Sequence, residues 1–145
     1  PFMTDSGLMA HLLHIYSPDD ILNNNEKSQN EGGKLVETWV YNQLASEVDL
    51  HSPWNIHYFR SRRHEIDFLV TNEKGHVLGI EVKAGESVAS DDFQHLRWMQ
   101  ELLGEEHFTG VILYSGDQVR SGGRGCFALP MAALWSNFST WTPFE

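Results

Sequence analysis

The chain has 145 residues, 41% of them hydrophobic, so it can bury a core and fits one compact domain. It carries 10 Lys and Arg against 20 Asp and Glu, and its net charge of -10 argues against strong nonspecific nucleic-acid binding by this chain alone. The single cysteine excludes an intrachain disulfide and a cysteine-rich zinc site, and no apolar run approaches the about 18 residues of a membrane helix, so we expect a cytoplasmic protein without a membrane partner.

The first part of the chain predicts two helices separated by a polar loop. Residues 5–15 form a short helix that Asp5 or Ser6 can cap. Residues 17–33 are rich in Asn and Gly and predict a loop, to which we assign no role. Residues 34–48 carry a wide apolar arc at helical spacing and predict the second helix.

Three strands and a helix follow. Residues 54–60, 64–71 and 76–83 read as strands. Residues 90–103 read as a helix, with Ser90 as its N-cap and acidic residues in its first turn.

The last part of the chain adds two strands. Residues 107–114 are strongly apolar, and 125–130 are followed by a helical turn. The glycine-rich segment 114–125 lacks the order of a phosphate-binding loop, so we expect it to be a hairpin turn. This succession predicts an α/β or α+β fold with a mixed sheet.

The hairpin predicted at 64–83 has charged residues at alternate positions. Because side chains alternate across a strand, one face of each strand is apolar and the other carries charges. The apolar sets are Ile66, Phe68 and Val70 in the first strand and Leu78, Ile80 and Val82 in the second. The connecting residues suit a three-residue loop with Gly75 in the left-handed conformation.

That loop fixes a register in which Asp67 lies opposite Glu81, and Glu65 opposite Lys83. Two carboxylates directly across a strand pair repel each other, and a divalent cation between them would reverse the sign of this interaction. In the helix at 34–48, Glu37 shares a stripe with apolar residues and so faces inward, where the charged side of the hairpin is the obvious neighbour.

The set Glu37, Asp67, Glu81 and Lys83 points to metal-dependent chemistry. Three carboxylates suit Mg²⁺ or Mn²⁺, and a nearby lysine can stabilise charge on a phosphoryl group or hold an attacking hydroxide. The alternative is an ordinary ion pair between Glu81 and Lys83 on an exposed sheet face. For Glu65, pairing with Lys83 or exposure to solvent is the favoured interpretation.

Basic residues near this hairpin have two interpretations. They could line a rim that contacts phosphates, or they could be solvated charges that offset an acidic domain. The residues are Arg60, Arg62, Arg63 and Arg97.

An acidic residue in a first helix, Asp67 in HEIDFLV, Glu81-Val82-Lys83 in IEVKAG and a following helix together resemble the PD-(D/E)XK nuclease superfamily. Asp67 and Glu81 are 14 residues apart, a normal spacing for that superfamily's central hairpin. The ordered segments DSGLMAHLL, LVETWVYNQL, YFRSRRHEIDFLV, GIEVKAGESV, GVILYSGDQV and ALPMAALW resemble the domain that follows the ATPase core and winged helix in many prokaryotic AAA-type ATPases.

The resemblance implies an α/β fold with a restriction-endonuclease-like mixed sheet flanked by helices. Residues 1–145 would then be a single nuclease-like domain, the C-terminal part of a longer ATPase. Asp67 and Glu81 would bind Mg²⁺ or Mn²⁺, with the Val82 carbonyl as a further ligand. Lys83 and Glu37 would be catalytic, and Gln94 a supporting polar residue.

Two functions follow as expectations. The first is metal-dependent hydrolysis of phosphodiester bonds in DNA or RNA, which the complete Glu37, Asp67, Glu81 and Lys83 set favours. The second is a catalytically inactive module for protein interaction or regulation of the ATPase, which the net charge of -10 favours. Both name the upstream ATPase domain as a partner.

Overall fold

The computed structural model describes residues 5–14, 16–17, 26–50 and 53–135. Three helices and six strands lie within these ranges, together with two short 3-10 turns at Ser90–Phe93 and Met131–Trp135. The helices are α1 (Ser6–Leu12), α2 (Glu26–Leu50) and α3 (Gln94–Leu103). The strands are β1 (Asn55–Arg60), β2 (Glu65–Thr71), β3 (Val77–Lys83), β4 (Phe108–Tyr114), β5 (Arg120–Gly123) and β6 (Cys126–Pro130).

The six strands form one mixed sheet in the order β1-β2-β3-β4-β6-β5. The pairs β1–β2, β2–β3 and β5–β6 are antiparallel, whereas β3–β4 and β4–β6 are parallel. Strand β4 lies inside the sheet and is buried at six of its seven residues, which explains its continuous apolar sequence. The expected α/β fold, a mixed sheet flanked by helices, is confirmed.

The helices bury both faces of the sheet. Val40 and Leu44 of α2 pack in one cluster with Phe68, Ile80 and other sheet residues. Leu96 and Met99 of α3 pack in a second cluster with Phe108, Ile112 and their neighbours. Strands β2 and β3 therefore lie between α2 on one side and α3 on the other.

Two expectations about the first helices have different outcomes. Asp5 caps α1, since its Oδ1 accepts the Leu8 N–H at 2.9 Å. The loop expected at 17–33 is wrong for residues 26–33, because α2 begins at Glu26; residues 18–25 lie outside the described part of the chain. Glu, Lys and Gln in this segment are good helix formers, and each of its two glycines costs a helix only about 1 kcal/mol.

Two expectations in the second half of the chain need correction. The segment 114–125 contains strand β5, a sheet edge whose sequence RSGG lacks the apolar alternation that predicts a strand. The chain then reverses through Arg124 and Gly125, which have positive φ angles of 46° and 73°. Ser90 is not the N-cap of the next helical segment: Ala89 occupies that position, and the Ala89 N–H is accepted by Asp92 at 2.6 Å.

None of the helices in the described ranges is both long and apolar enough to cross a membrane.

Candidate functional site

The β2–β3 hairpin has the strand bounds expected from the sequence to within one residue. Gly75 has the positive φ, 79°, that the three-residue loop requires. The strands pair from Thr71 with Val77 up to Phe68 with Ile80. The paired ladder ends there, one residue before Asp67 and Glu81, so the predicted pairing of these two carboxylates stays a prediction.

Strand β2 is irregular at Asp67. His57 pairs with Leu69 and Phe59 pairs with Ile66, so two residues of β2 lie opposite the single residue Tyr58 of β1. Such a bulge locally twists the strand and redirects a side chain. It also corrects one expectation: Ile66 packs in the α3-side cluster rather than with Phe68.

The Asp67 carboxylate is turned toward the backbone of β3. Its Oδ2 accepts the Val82 N–H at 2.7 Å. Burial raises the pKa of Asp67, the Val82 hydrogen bond opposes that rise, and the charge of Glu65 adds to it. At this end of the hairpin, the Asp67 side chain rather than a backbone carbonyl of β2 thus accepts the Val82 N–H.

Glu81 is the most perturbed carboxylate of the three predicted from the sequence. Burial, together with the charges of Asp67, Asp92 and Glu65, raises its pKa from an ordinary 4.5 to about 8. Its Oε1 is fully buried and has no hydrogen-bond partner in the described structure. A buried polar atom left without a partner costs about 1–3 kcal/mol, so this oxygen favours a bound proton or a bound cation.

Glu37 approaches the same cluster from α2. Burial and the charges of Asp67 and Glu65, opposed by the charge of Lys34, raise its pKa from 4.5 to about 7. These charge interactions connect Glu37 to Asp67, and Asp67 to Glu81. The three carboxylates that sequence analysis singled out therefore influence one another's ionisation.

Lys83 is at the end of β3 but forms its ion pair with Asp92, in the 3-10 turn before α3. Sequence analysis did not single out Asp92. Burial alone would raise the pKa of Asp92, but hydrogen bonds from Lys83 and from the Ala89 N–H outweigh burial and lower it. The lysine nearest to Glu81 in sequence is thus already engaged by another carboxylate.

Glu65 is exposed to solvent, one of the two expected alternatives, and it pairs with Arg60 at 3.2 Å rather than with Lys83. Arg62 and Arg63 are exposed in the β1–β2 turn, where Ser61 Oγ accepts the backbone N–H groups of Arg63 and His64. Their exposure agrees with both interpretations given above, a phosphate-contacting rim and solvated charges.

Arg97 is bonded within the domain. Its guanidinium donates to the Gly122 carbonyl at 2.7 and 3.1 Å and to the Ser90 carbonyl at 3.1 Å, and it lies 5.4 Å from the centre of the Phe93 ring. These bonds join α3 to strand β5, so the Arg97 guanidinium stabilises the packing of these two elements. Gln94, the first residue of α3, is exposed.

Within the described ranges, no group of three or more His, Cys, Asp or Glu side chains is arranged to hold a metal ion. Mg²⁺ typically takes one or two carboxylates and keeps several waters. Asp67 and Glu81, with the unpartnered Glu81 Oε1, fit that donor set.

Comparison with known families identifies the group to which the chain belongs. The model of the domain of unknown function DUF4143 matches residues 32–134. The chain belongs to the DUF4143 family. The match contains Glu37, Asp67, Glu81, Lys83 and Asp92. No curated protein and no solved structure matches the chain.

Proposed function

We propose that this DUF4143 domain is a metal-dependent nuclease that hydrolyses phosphodiester bonds in DNA or RNA. The observation that carries the proposal is the unpartnered Glu81 Oε1 in a cluster with Asp67 and Glu37. Burying like charges together destabilises a protein. A divalent cation bound between the carboxylates would replace their mutual repulsion by attraction to the cation.

Each residue of the cluster has a distinct task in this proposal. Asp67 and Glu81 hold Mg²⁺ or Mn²⁺, with the Val82 carbonyl within the same strand segment. A cation bound there supplies positive charge to the scissile phosphate and lowers the pKa of a coordinated water. Lys83 contributes a positive charge beside the phosphate. Glu37, with its pKa raised to about 7, accepts or returns a proton near neutral pH.

The substrate path fits the positions of the exposed arginines. The cluster itself is acidic and the chain has a net charge of -10, so a nucleic-acid strand needs local cations to approach. Arg62 and Arg63 are exposed in the turn that precedes β2. Arg63 is four residues before Asp67 in the chain. Both arginines lie at the same end of β2 as Asp67 and would supply positive charge near a bound strand.

A second candidate function is an inactive module that binds or regulates an attached ATPase. The acidic net charge and the engagement of Lys83 by Asp92 favour it. In that case the carboxylates are a structural network, and loss of Lys83 would change stability slightly and no activity.

Cleavage assays on single- and double-stranded DNA and RNA with Mn²⁺ separate the two functions. We expect Lys83→Ala to lower the cleavage rate by about 100-fold. The variant should lose no more than about 1 kcal/mol of unfolding free energy, because the Lys83 and Asp92 side chains are 37% and 30% exposed. Lys74→Ala, in the exposed β2–β3 turn, is the matched control and should cleave like the wild type. Absence of cleavage by the wild type on every substrate would contradict the nuclease proposal and favour the inactive module.

A further inference from the structure

The last residues of β3 include the carboxylate of Glu81 and the ammonium of Lys83, which do not pair with each other. Lys83 Nζ bonds to Asp92 Oδ2, while the Oε1 of Glu81, two residues before Lys83, has no partner among the described residues. Residues i and i+2 of a strand project from the same face, about 6.6 Å apart along the chain. A lysine side chain spans that distance, so Glu81 is the alternative acceptor for Lys83.

The backbone around Asp92 favours its carboxylate over that of Glu81 as the acceptor for Lys83. The same Oδ2 atom that bonds Lys83 also accepts the Ala89 N–H at 2.6 Å. The Asp92 N–H in turn donates to the Ala89 carbonyl at 3.2 Å. The turn is anchored by the buried Phe93, so the carboxylate of Asp92 is fixed by the backbone rather than by Lys83.

We propose that Asp92 is a positioning residue: it holds the Lys83 ammonium away from Glu81 and Asp67 and so leaves these two carboxylates open to a divalent cation. This inference rests on the proposed function. Without Asp92, Lys83 would bond to Glu81 and compete with the cation for the same oxygen. Asp92 therefore sets both where Lys83 acts and how tightly the cation binds.

Calorimetric titration of Mn²⁺ into four variants and the wild type tests the proposal. Asp92→Asn keeps an acceptor for the Ala89 N–H but removes the charge that holds Lys83, and we expect Mn²⁺ affinity to fall by about tenfold. Asp91→Asn, the neighbouring and exposed position, makes the same charge change and should bind within about threefold of the wild type.

The double variant Asp92→Asn with Lys83→Met separates positioning from structure. It has the net charge of the wild type and lacks the competing ammonium, so its affinity should return to within about threefold of the wild type. Lys83→Met alone should bind Mn²⁺ at least as tightly as the wild type.

Three results would overturn the inference. Wild-type affinity in Asp92→Asn would show that Asp92 does not control Lys83, with the proposed metal site intact. A double variant as weak as Asp92→Asn alone would assign the loss to the turn rather than to Lys83, again with the metal site intact. No Mn²⁺ binding by the wild type would overturn the proposed function, and this inference with it.

Discussion

The two ends of the β2–β3 hairpin use polar side chains in opposite ways. At the turn, Asn72 Oδ1 accepts the N–H groups of Lys74 and His76 at 3.0 Å, and the Asn72 backbone bonds to His76 and Gly75. At the open end, the paired ladder stops after Phe68 and Ile80, and the carboxylates beyond it raise one another's pKa.

This difference distinguishes the polar groups that stabilise the hairpin backbone from those that the proposed function uses. Polar groups at the turn satisfy the backbone and leave nothing for a ligand. Those at the open end retain an unpartnered oxygen on Glu81 and a bulge that directs Asp67 toward β3. An unsatisfied polar group in an otherwise consistent fold is where a functional constraint is expected, and the proposed cation site is such a constraint. Mutations along the hairpin should therefore divide into those that change stability and those that change cation binding.

The largest effect on stability is expected midway between the two ends. Phe68→Ala removes a ring that is 0% exposed and contacts the α2-side core, so the unfolding free energy should fall by about 3–5 kcal/mol. Chemical denaturation measures this loss. Leu102→Ala, at a side chain 65% exposed on α3, is the control and should change stability by less than about 0.5 kcal/mol. A loss below about 1 kcal/mol for Phe68→Ala would contradict the position of the core.

At the open end, removing a charge should stabilise the metal-free protein. Glu81 has a pKa of about 8 in the folded state and an ordinary value near 4.5 when unfolded. Between these values the folded state binds the extra proton, so the wild type loses stability as pH rises through this window. Glu81→Gln does not titrate and should be more stable than the wild type by about 1–2 kcal/mol at pH 8, a value discounted for solvent screening.

The pH dependence of this stability difference is the more specific part of the Glu81→Gln prediction. The stability difference between Glu81→Gln and the wild type should be near zero at pH 4.5 and grow toward pH 8, as measured by thermal or urea unfolding without metal. Asp117→Asn, an exposed site in the β4–β5 connection, is the matched control and should show no such growth. A difference that stays constant across the window would contradict the buried ionisation of Glu81.

At the turn, Asn72→Ala should cost stability without changing cation binding. It removes the acceptor for two backbone N–H groups, so we expect a loss of about 1 kcal/mol in unfolding free energy. Mn²⁺ affinity should stay within about twofold of the wild type, because Asn72 lies at the opposite end of the strands from Asp67. Glu73→Ala, in the same exposed turn, is the control for both measurements. Weakened Mn²⁺ binding in Asn72→Ala would remove the distinction between the two ends.

Sequence patterns predicted the hairpin because its signals are local. Alternating apolar residues set the strand bounds, and Gly75 between them set the loop and hence the register from Thr71 with Val77 to Phe68 with Ile80. The inward direction of Glu37 followed from a helical stripe in the same way.

The errors in the sequence analysis have non-local causes. The bulge at Asp67 depends on how β1 pairs with β2, which no pattern in β2 alone specifies. The partner of Lys83 depends on a turn that packs nine residues further along the chain. Strand β5 takes its place through pairing with β6, although its own residues are mostly glycine and polar. Arg97 joins α3 to that strand, so its structural bonds could not be foreseen once β5 was missed.

The most direct test of the proposed metal site is calorimetric titration of Mn²⁺ into the wild type and Asp67→Asn. It requires no choice of substrate. The proposed site predicts saturable binding to the wild type and its loss in Asp67→Asn, with the variant still folded by circular dichroism. Binding that persists unchanged in Asp67→Asn, or that is absent from both folded proteins, would contradict a metal site at Asp67 and Glu81.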